Sequence, residues 1–239
     1  MTAFPPNVGC MAETYLIDGR DVTMPVEVRD ASAGTAIFEI DAAAARALIP
    51  GDAFDVVEVS PGRAHLVLAV IDYRDNDLGD YFEVGVTFFV KPRGQADAVP
   101  GTYIYRLPVD QAFTCAAGRQ IWGFPKTVEQ IAFDYADDHV ICELTMDDEL
   151  VLRLQIPRGG SDESPELTMT TYTYLDGRPH ATAFTQSGTG NLLTLGADGI
   201  ALELGAHPVA KEIESLEPTP VMSTWTERMR ATFATPEPI

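Results

Sequence analysis

The chain has 239 residues, of which 46% are hydrophobic and 22% charged, the composition of a globular protein able to bury a core without disulfides. Its 16 lysines and arginines face 36 aspartates and glutamates, for a formal net charge of −20. Such a surface repels phosphate backbones and anionic lipid, so neither nucleic acid nor a membrane is expected as a partner, and an anionic substrate would need a cationic pocket inside a repulsive field.

In chain order, Met1 to Cys10 holds two prolines and no basic segment ahead of an apolar run, so no signal peptide is expected. No stretch of the sequence approaches the roughly 18 uninterrupted apolar residues of a membrane span, and a cytoplasmic location is expected. Asp41 to Ile49 reads as a helix: an N-capping aspartate, four alanines, then a stop at Pro50-Gly51. Phe54 to Val59 and Arg63 to Tyr73 read as a hairpin around Ser60-Pro61-Gly62, followed by strands at Tyr81 to Val90 and Thr102 to Leu107. Asp110 to Gly118 is a second helix. Lys126 to Tyr135, His139 to Thr145 and Glu149 to Ile156 form a meander turning at Asp137-Asp138 and Asp147-Asp148. Pro157 to Pro165 has the composition of a surface loop. Leu167 to Tyr174 and Arg178 to Thr185 flank Leu175-Asp176-Gly177, and Asp-Gly is a strong hairpin signal. Ser187 to Asn191 lacks the glycine spacing of a dinucleotide loop and reads as a plain turn. Pro208 to Leu216 reads as a helix with proline at its start.

No repeat, low-complexity block or linker divides the sequence, so one domain over residues 1–239 is expected. Hairpin-linked strands with few helices predict a mainly β (α+β) fold. Its antiparallel sheet would be closed or partly closed and carry short helices.

The chain has three lysines. Lys91, before Pro92, and Lys211, beside Glu212 on a predicted helix, read as solvated charges. Lys126 differs, because it follows Ile121-Trp122-Gly123-Phe124-Pro125, the most aromatic approach to any charge in the chain. One reading is a lysine whose stem covers aromatic surface while its ammonium stays wet. The other is a desolvated amine. A free lysine titrates near 10.4, and lowering that by about three to four units takes about 4–5 kcal/mol of selective destabilisation of the ammonium. A neutral amine can attack a ketone, and the protonated imine is an electron sink for breaking an adjacent bond.

The segment Gly118-Arg119-Gln120-Ile121-Trp122-Gly123-Phe124-Pro125-Lys126 resembles the lysine motif of the acetoacetate decarboxylase superfamily. Leu78-Gly79-Asp80-Tyr81-Phe82-Glu83 is similar to the segment that carries the family's glutamate, and His207 to Ile213 is similar to its Pro-Val-Lys-Glu-Ile helix. The three pieces fall in the family's order over most of the chain. The resemblance implies an antiparallel β-barrel-like acetoacetate decarboxylase-like fold, usually in a homo-oligomer, with Lys126 as the Schiff-base lysine and Glu83 as its acid. It also implies a small keto acid or β-dicarbonyl substrate and no cofactor. The decarboxylase has a second lysine directly after the first, the cationic neighbour that activates it, but Thr127 stands here. A second family acid aligns near Leu68 and is missing. Relatives on this fold carry out aldol condensation and dehydration. Tyr81 and Glu83, two apart on a strand, would share a face and suit that variant.

By resemblance, Glu83 would shuttle protons, Tyr81 would orient a substrate oxygen or Glu83, and Trp122 and Phe124 would wall the pocket. Arg29, Arg106 or Arg119 would hold a substrate carboxylate, with Arg119 alternatively a structural brace. A ligand-binding barrel without catalysis is the competing class. Cys10, Cys115 and Cys142 have no CxxC spacing, and four scattered histidines form no HxH or HxxxH pair. Free thiols and no metal are therefore expected. Asp75, Asp77 and Asp80 read as an acidic turn, since they lack the glycine and distal glutamate of a calcium loop.

Overall fold

A computed structural model describes residues 13–95 and 97–239. Cys10, and the expectation placed on Met1 to Cys10, lie outside the described residues.

The chain order is β1 (Thr14–Ile17), β2 (Arg20–Thr23), β3 (Val26–Asp41), α1 (Ala42–Leu48), β4 (Phe54–Val56), β5 (Glu58–Ser60), β6 (Arg63–Asn76), β7 (Tyr81–Pro92) and β8 (Gly101–Val109). Next come α2 (Ala112–Trp122), β9 (Lys126–Val128), β10 (Gln130–Tyr135), β11 (His139–Met146) and β12 (Glu149–Pro157). β13 (Asp162–Leu175), β14 (Arg178–Leu195), β15 (Ala201–Leu204), α3 (Pro208–Glu214), β16 (Thr219–Phe233) and β17 (Glu237–Pro238) follow.

Seven strands close a barrel in the order β7-β6-β3-β16-β14-β13-β8, with β8 returning to β7. Closure removes the exposed edges that an open sheet would leave. β8 runs parallel to β13 and to β9, and the other barrel pairings are antiparallel. A second sheet, β10-β11-β12-β15, packs on one face of the barrel wall, where Leu66, Leu68, Val84, Val86 and Phe88 meet Val140, Leu144, Leu152 and Ile156. The opposite face gathers Val26, Val28, Ile71, Tyr73, Tyr81 and Val109 around α2. β6 and β7 are therefore buried on both faces, which explains their nearly continuous apolar runs.

The predicted turns of the meander and at Asp176-Gly177 are present, but the hairpin read from Phe54 to Tyr73 is reduced to β5 on β6, because Phe54–Val56 pairs with β7 instead. Asp176 and Gly177 form a two-residue turn with both φ positive, at 52° and 74°, joining Leu175 to Arg178. Asp41 caps α1 by accepting from the Ala44 N–H at 2.7 Å.

Several boundaries differ from expectation. The strand read from Lys126 to Tyr135 breaks at Glu129, whose N–H donates to the Val109 carbonyl at 2.8 Å, so β9 extends the barrel sheet while β10 joins the second sheet. The loop read over Pro157 to Pro165 is shorter, because β13 begins at Asp162. Ser187 to Asn191 is not a turn but part of β14. Gly188 is there because β16 passes so close that a Cβ would sit 2.7 Å from the Arg228 carbonyl oxygen. No helix among the described residues is long and apolar enough to cross a membrane.

Candidate active site

α2 begins at Ala112, two residues later than expected, after the N-cap Gln111, and runs through Gly118 to Trp122. Gly118 does not stop the helix; Gly123 does, at φ 66°, where its N–H returns to the Gly118 carbonyl. Phe124 N–H bonds the same carbonyl at 3.1 Å, Pro125 follows, and Lys126 opens β9 beside Leu107 of β8. The connection is pinned on both sides. Trp122 Nε1 donates to the Ala234 carbonyl at 2.9 Å, and Thr173 Oγ1 donates to the Trp122 carbonyl at 2.7 Å.

The Lys126 stem lies across Gly118, where a Cβ would come 2.6 Å from Cδ and 2.8 Å from Cε. One helical turn earlier, Thr114 Oγ1 accepts a hydrogen bond from Lys126 Nζ at 3.1 Å. Glu83 Oε2 lies 2.8 Å from Nζ, and the two side chains are 8% and 3% exposed, so the ion pair is fully buried. The register of β6 on β7 sets Tyr73 opposite Tyr81 and Ile71 opposite Glu83, all on one face. Tyr73 Oη donates to Glu83 Oε1 at 3.2 Å, and its ring stacks on Tyr81 with centroids 4.4 Å apart. Nζ also lies 4.9 Å from the Tyr81 ring centroid.

These groups face a cavity of about 30 Å³, walled by Val26, Val28, Leu78, Trp122, Phe124 and Phe233. That is room for about one water, so a substrate must displace side chains to bind. Trp122 and Phe124 stack at 5.4 Å and form one wall.

The electrostatics depart from expectation. Burial pushes the Lys126 ammonium toward deprotonation, but the Glu83 carboxylate and the Tyr81 hydroxyl outweigh it, and the net direction is upward from the ordinary value. Lys126 is thus a paired ammonium here, not an amine freed by desolvation. Burial, then the Glu83 charge, holds the Tyr73 phenol well above its usual range. Burial raises Tyr81 as well, against the pull of Lys126.

None of the three arginines considered lines the cavity. Arg29 sits next to Val28 on β3, so strand alternation sends it to the other face. There Nε meets Asp75 at 2.8 Å and Nη1 meets Asp77 at 2.7 Å. The acidic turn is thereby an ion-pair partner for Arg29. Arg106 pairs with Glu212 of α3 at 2.7 Å. Arg119 is exposed on the last turn of α2, with no ion pair to it among the described residues, so no salt-bridge brace is seen. Cys115 and Cys142 are buried free thiols, and no group of three or more potential metal-ligating residues occurs among the described residues.

Sequence reasoning missed Tyr73 and Thr114. Pairing the predicted strands residue by residue would have set Tyr73 against Tyr81, and a four-residue step back from Gly118 would have found Thr114.

The fold and this constellation define a class: β-barrel proteins holding a buried lysine–glutamate pair beneath an aromatic wall. The sequence model for acetoacetate decarboxylase (ADC) matches residues 19–238, and the chain belongs to that family. The crystal structure of acetoacetate decarboxylase from Legionella pneumophila subsp. pneumophila str. Philadelphia 1 is similar at 18% identity and TM-score 0.66, over 90% of this chain and 87% of that one. The enduracididine biosynthesis enzyme MppR, complexed with the condensation product of pyruvate and imidazole 4-carboxaldehyde, is similar at 17% identity and TM-score 0.59, over 90% and 88% of the two chains. An acetoacetate decarboxylase-like enzyme from Sphingomonas wittichii RW1 is similar at 12% identity and TM-score 0.57, over 91% and 94%. At such identities the likeness is one of fold. No curated protein matches the sequence.

Proposed function

We propose that this protein is an imine-forming lyase that attacks the carbonyl of a small keto acid or β-dicarbonyl with Lys126. The observation that carries this reading is the buried contact of 2.8 Å between Lys126 Nζ and Glu83 Oε2 beneath the Trp122–Phe124 wall. An ammonium held on a carboxylate at that distance can pass its proton across the bond once substrate intervenes. The neutral amine then adds to the carbonyl carbon. Glu83 returns the proton to the carbinolamine hydroxyl, which leaves as water, and a protonated imine remains. Its nitrogen accepts the electrons of the neighbouring bond when that bond breaks. The enamine carbon takes a proton relayed from solvent through Glu83, and hydrolysis frees the product and Lys126. Tyr73, bonded to Glu83, holds the carboxylate in place during these transfers.

Decarboxylation and aldol chemistry share this imine. Thr127 in place of a second lysine favours keeping the aldol reading beside the decarboxylase one, as does the similarity of fold to an enzyme solved with a pyruvate condensation product. Sodium borohydride with a panel of ketones and keto acids tests the common step. A reduced adduct on the native protein, lost in Lys126→Met, is expected. Equal labelling of both proteins would refute it. Carbon dioxide release from acetoacetate separates the two chemistries.

A further inference from the structure

We propose that the Lys126 site selects a neutral carbonyl compound over one that carries a carboxylate. This rests on the imine reading above and narrows its substrate from keto acids and β-dicarbonyls to the uncharged carbonyl compounds, so that carbon dioxide release from acetoacetate is expected to be absent.

Among the described residues, the formal charges on the cavity wall are Lys126 and Glu83, which cancel each other at 2.8 Å. The remaining polar groups are committed. Tyr73 Oη is given to Glu83 at 3.2 Å, the Tyr81 hydroxyl is hydrogen-bonded to Thr114 and Lys126, and Trp122 Nε1 donates to the Ala234 carbonyl at 2.9 Å. The Asn76 side chain closes its own turn, donating to the Gly79 carbonyl at 2.6 Å and accepting from the Leu78 N–H at 2.8 Å. Arg29 and Arg106 are held by acids away from the cavity, and Arg119 is exposed. Residues 1–12 and Ala96 carry no lysine, arginine or histidine, so they bring no side-chain cation.

Imine formation keeps one positive charge on the Lys126 nitrogen. With Glu83 ionised again after the loss of water, the buried site is balanced only if the substrate is uncharged. A carboxylate would be a second anion among Val26, Val28, Leu78 and Phe233, without a partner and beside the first. The net charge of −20 opposes its approach as well.

The test compares 4-oxopentanoate with its methyl ester, which share one ketone and differ in charge. Rates of borohydride-trapped adduct on Lys126 are read by peptide mass spectrometry, each divided by the rate of the same ketone with a simple alkylamine. The ester is expected to exceed the acid by about tenfold or more. The preference should persist at about 0.5 M salt, where long-range repulsion is screened. Equal rates, a faster acid, or a preference that vanishes in salt would overturn the selectivity while leaving the imine reading intact. Absence of adduct with both compounds would instead overturn the imine reading itself.

Discussion

Gly118→Ala isolates the placement of Lys126 from its chemistry. The added methyl would lie 2.6 Å from Lys126 Cδ, 2.8 Å from Cε and 3.3 Å from Cγ. Carbon pairs prefer about 3.5–4.0 Å, so the stem must move by roughly 1 Å. Nζ is held by Glu83 at 2.8 Å and Thr114 at 3.1 Å, and a stem pushed off Gly118 cannot keep both. A misplacement of about 1 Å costs on the order of 100-fold in rate, and that is the expected loss in borohydride-trapped adduct at fixed ketone. Stability should change far less. Alanine is favoured over glycine inside a helix by about 0.8–1 kcal/mol, against about 1–3 kcal/mol for overpacking, so the net loss is no more than about 2 kcal/mol. Trapping kinetics and urea unfolding on the same preparation measure both quantities. Gln120→Ala, at an exposed position on the same helix, serves as the control. A folded Gly118→Ala protein that traps ketone at the wild-type rate would refute the assigned path of the lysine stem.

Further outcomes follow from the ion pair. Glu83→Gln removes the charge that keeps Lys126 protonated, so burial should dominate and the Lys126 amine should titrate lower, while borohydride-trapped adduct should form more slowly because no acid is left to expel water from the carbinolamine. Turnover should fall by about 100-fold or more with the proton relay gone, and unchanged turnover would count against the relay. Lys126→Met leaves Glu83 buried without its cation and should cost about 3–5 kcal/mol in urea unfolding. Adding Glu83→Gln should recover most of that loss, and strictly additive losses would contradict a coupled pair. Lys126 is raised above its ordinary value, so its contribution to stability is full below about 10.5 and is lost as pH rises through the folded value. For trapping, transfer within the pair leaves its proton count unchanged, so the rate should be flat between about pH 6 and 9, and a step near 7 would mean a free, depressed amine instead.

The chemistry-bearing residues were legible where local pattern carries them. Tyr81 and Glu83 meet at the cavity because strand alternation is local, and Lys126 stood out through the aromatic segment before it. Arg29 was misplaced for the complementary reason: Val26 and Val28 face the cavity, which turns Arg29 to the opposite face. Among the strands that went unseen, β3, β16 and the far half of β14 are rich in alanine, threonine and glycine. Gly34 lies where a Cβ would come 2.7 Å from the Trp225 ring, and Gly188 fits beneath β16. Their glycines serve close packing between distant strands, which resembles turn composition when read along the chain. The end of α2 was misread likewise, since Gly118 makes room for Lys126 and the terminating glycine is Gly123. The ion pair with Glu83 depends on strands more than forty residues apart, which no local pattern reports.

The most direct measurement is carbon-13 NMR of the protein with a small neutral ketone labelled at its carbonyl carbon. A new resonance upfield of the free ketone, in the imine range, is expected with the native protein and absent with Lys126→Met. Only the free-ketone signal at saturating concentration, or the same imine signal in the variant, would contradict Lys126 as the nucleophile.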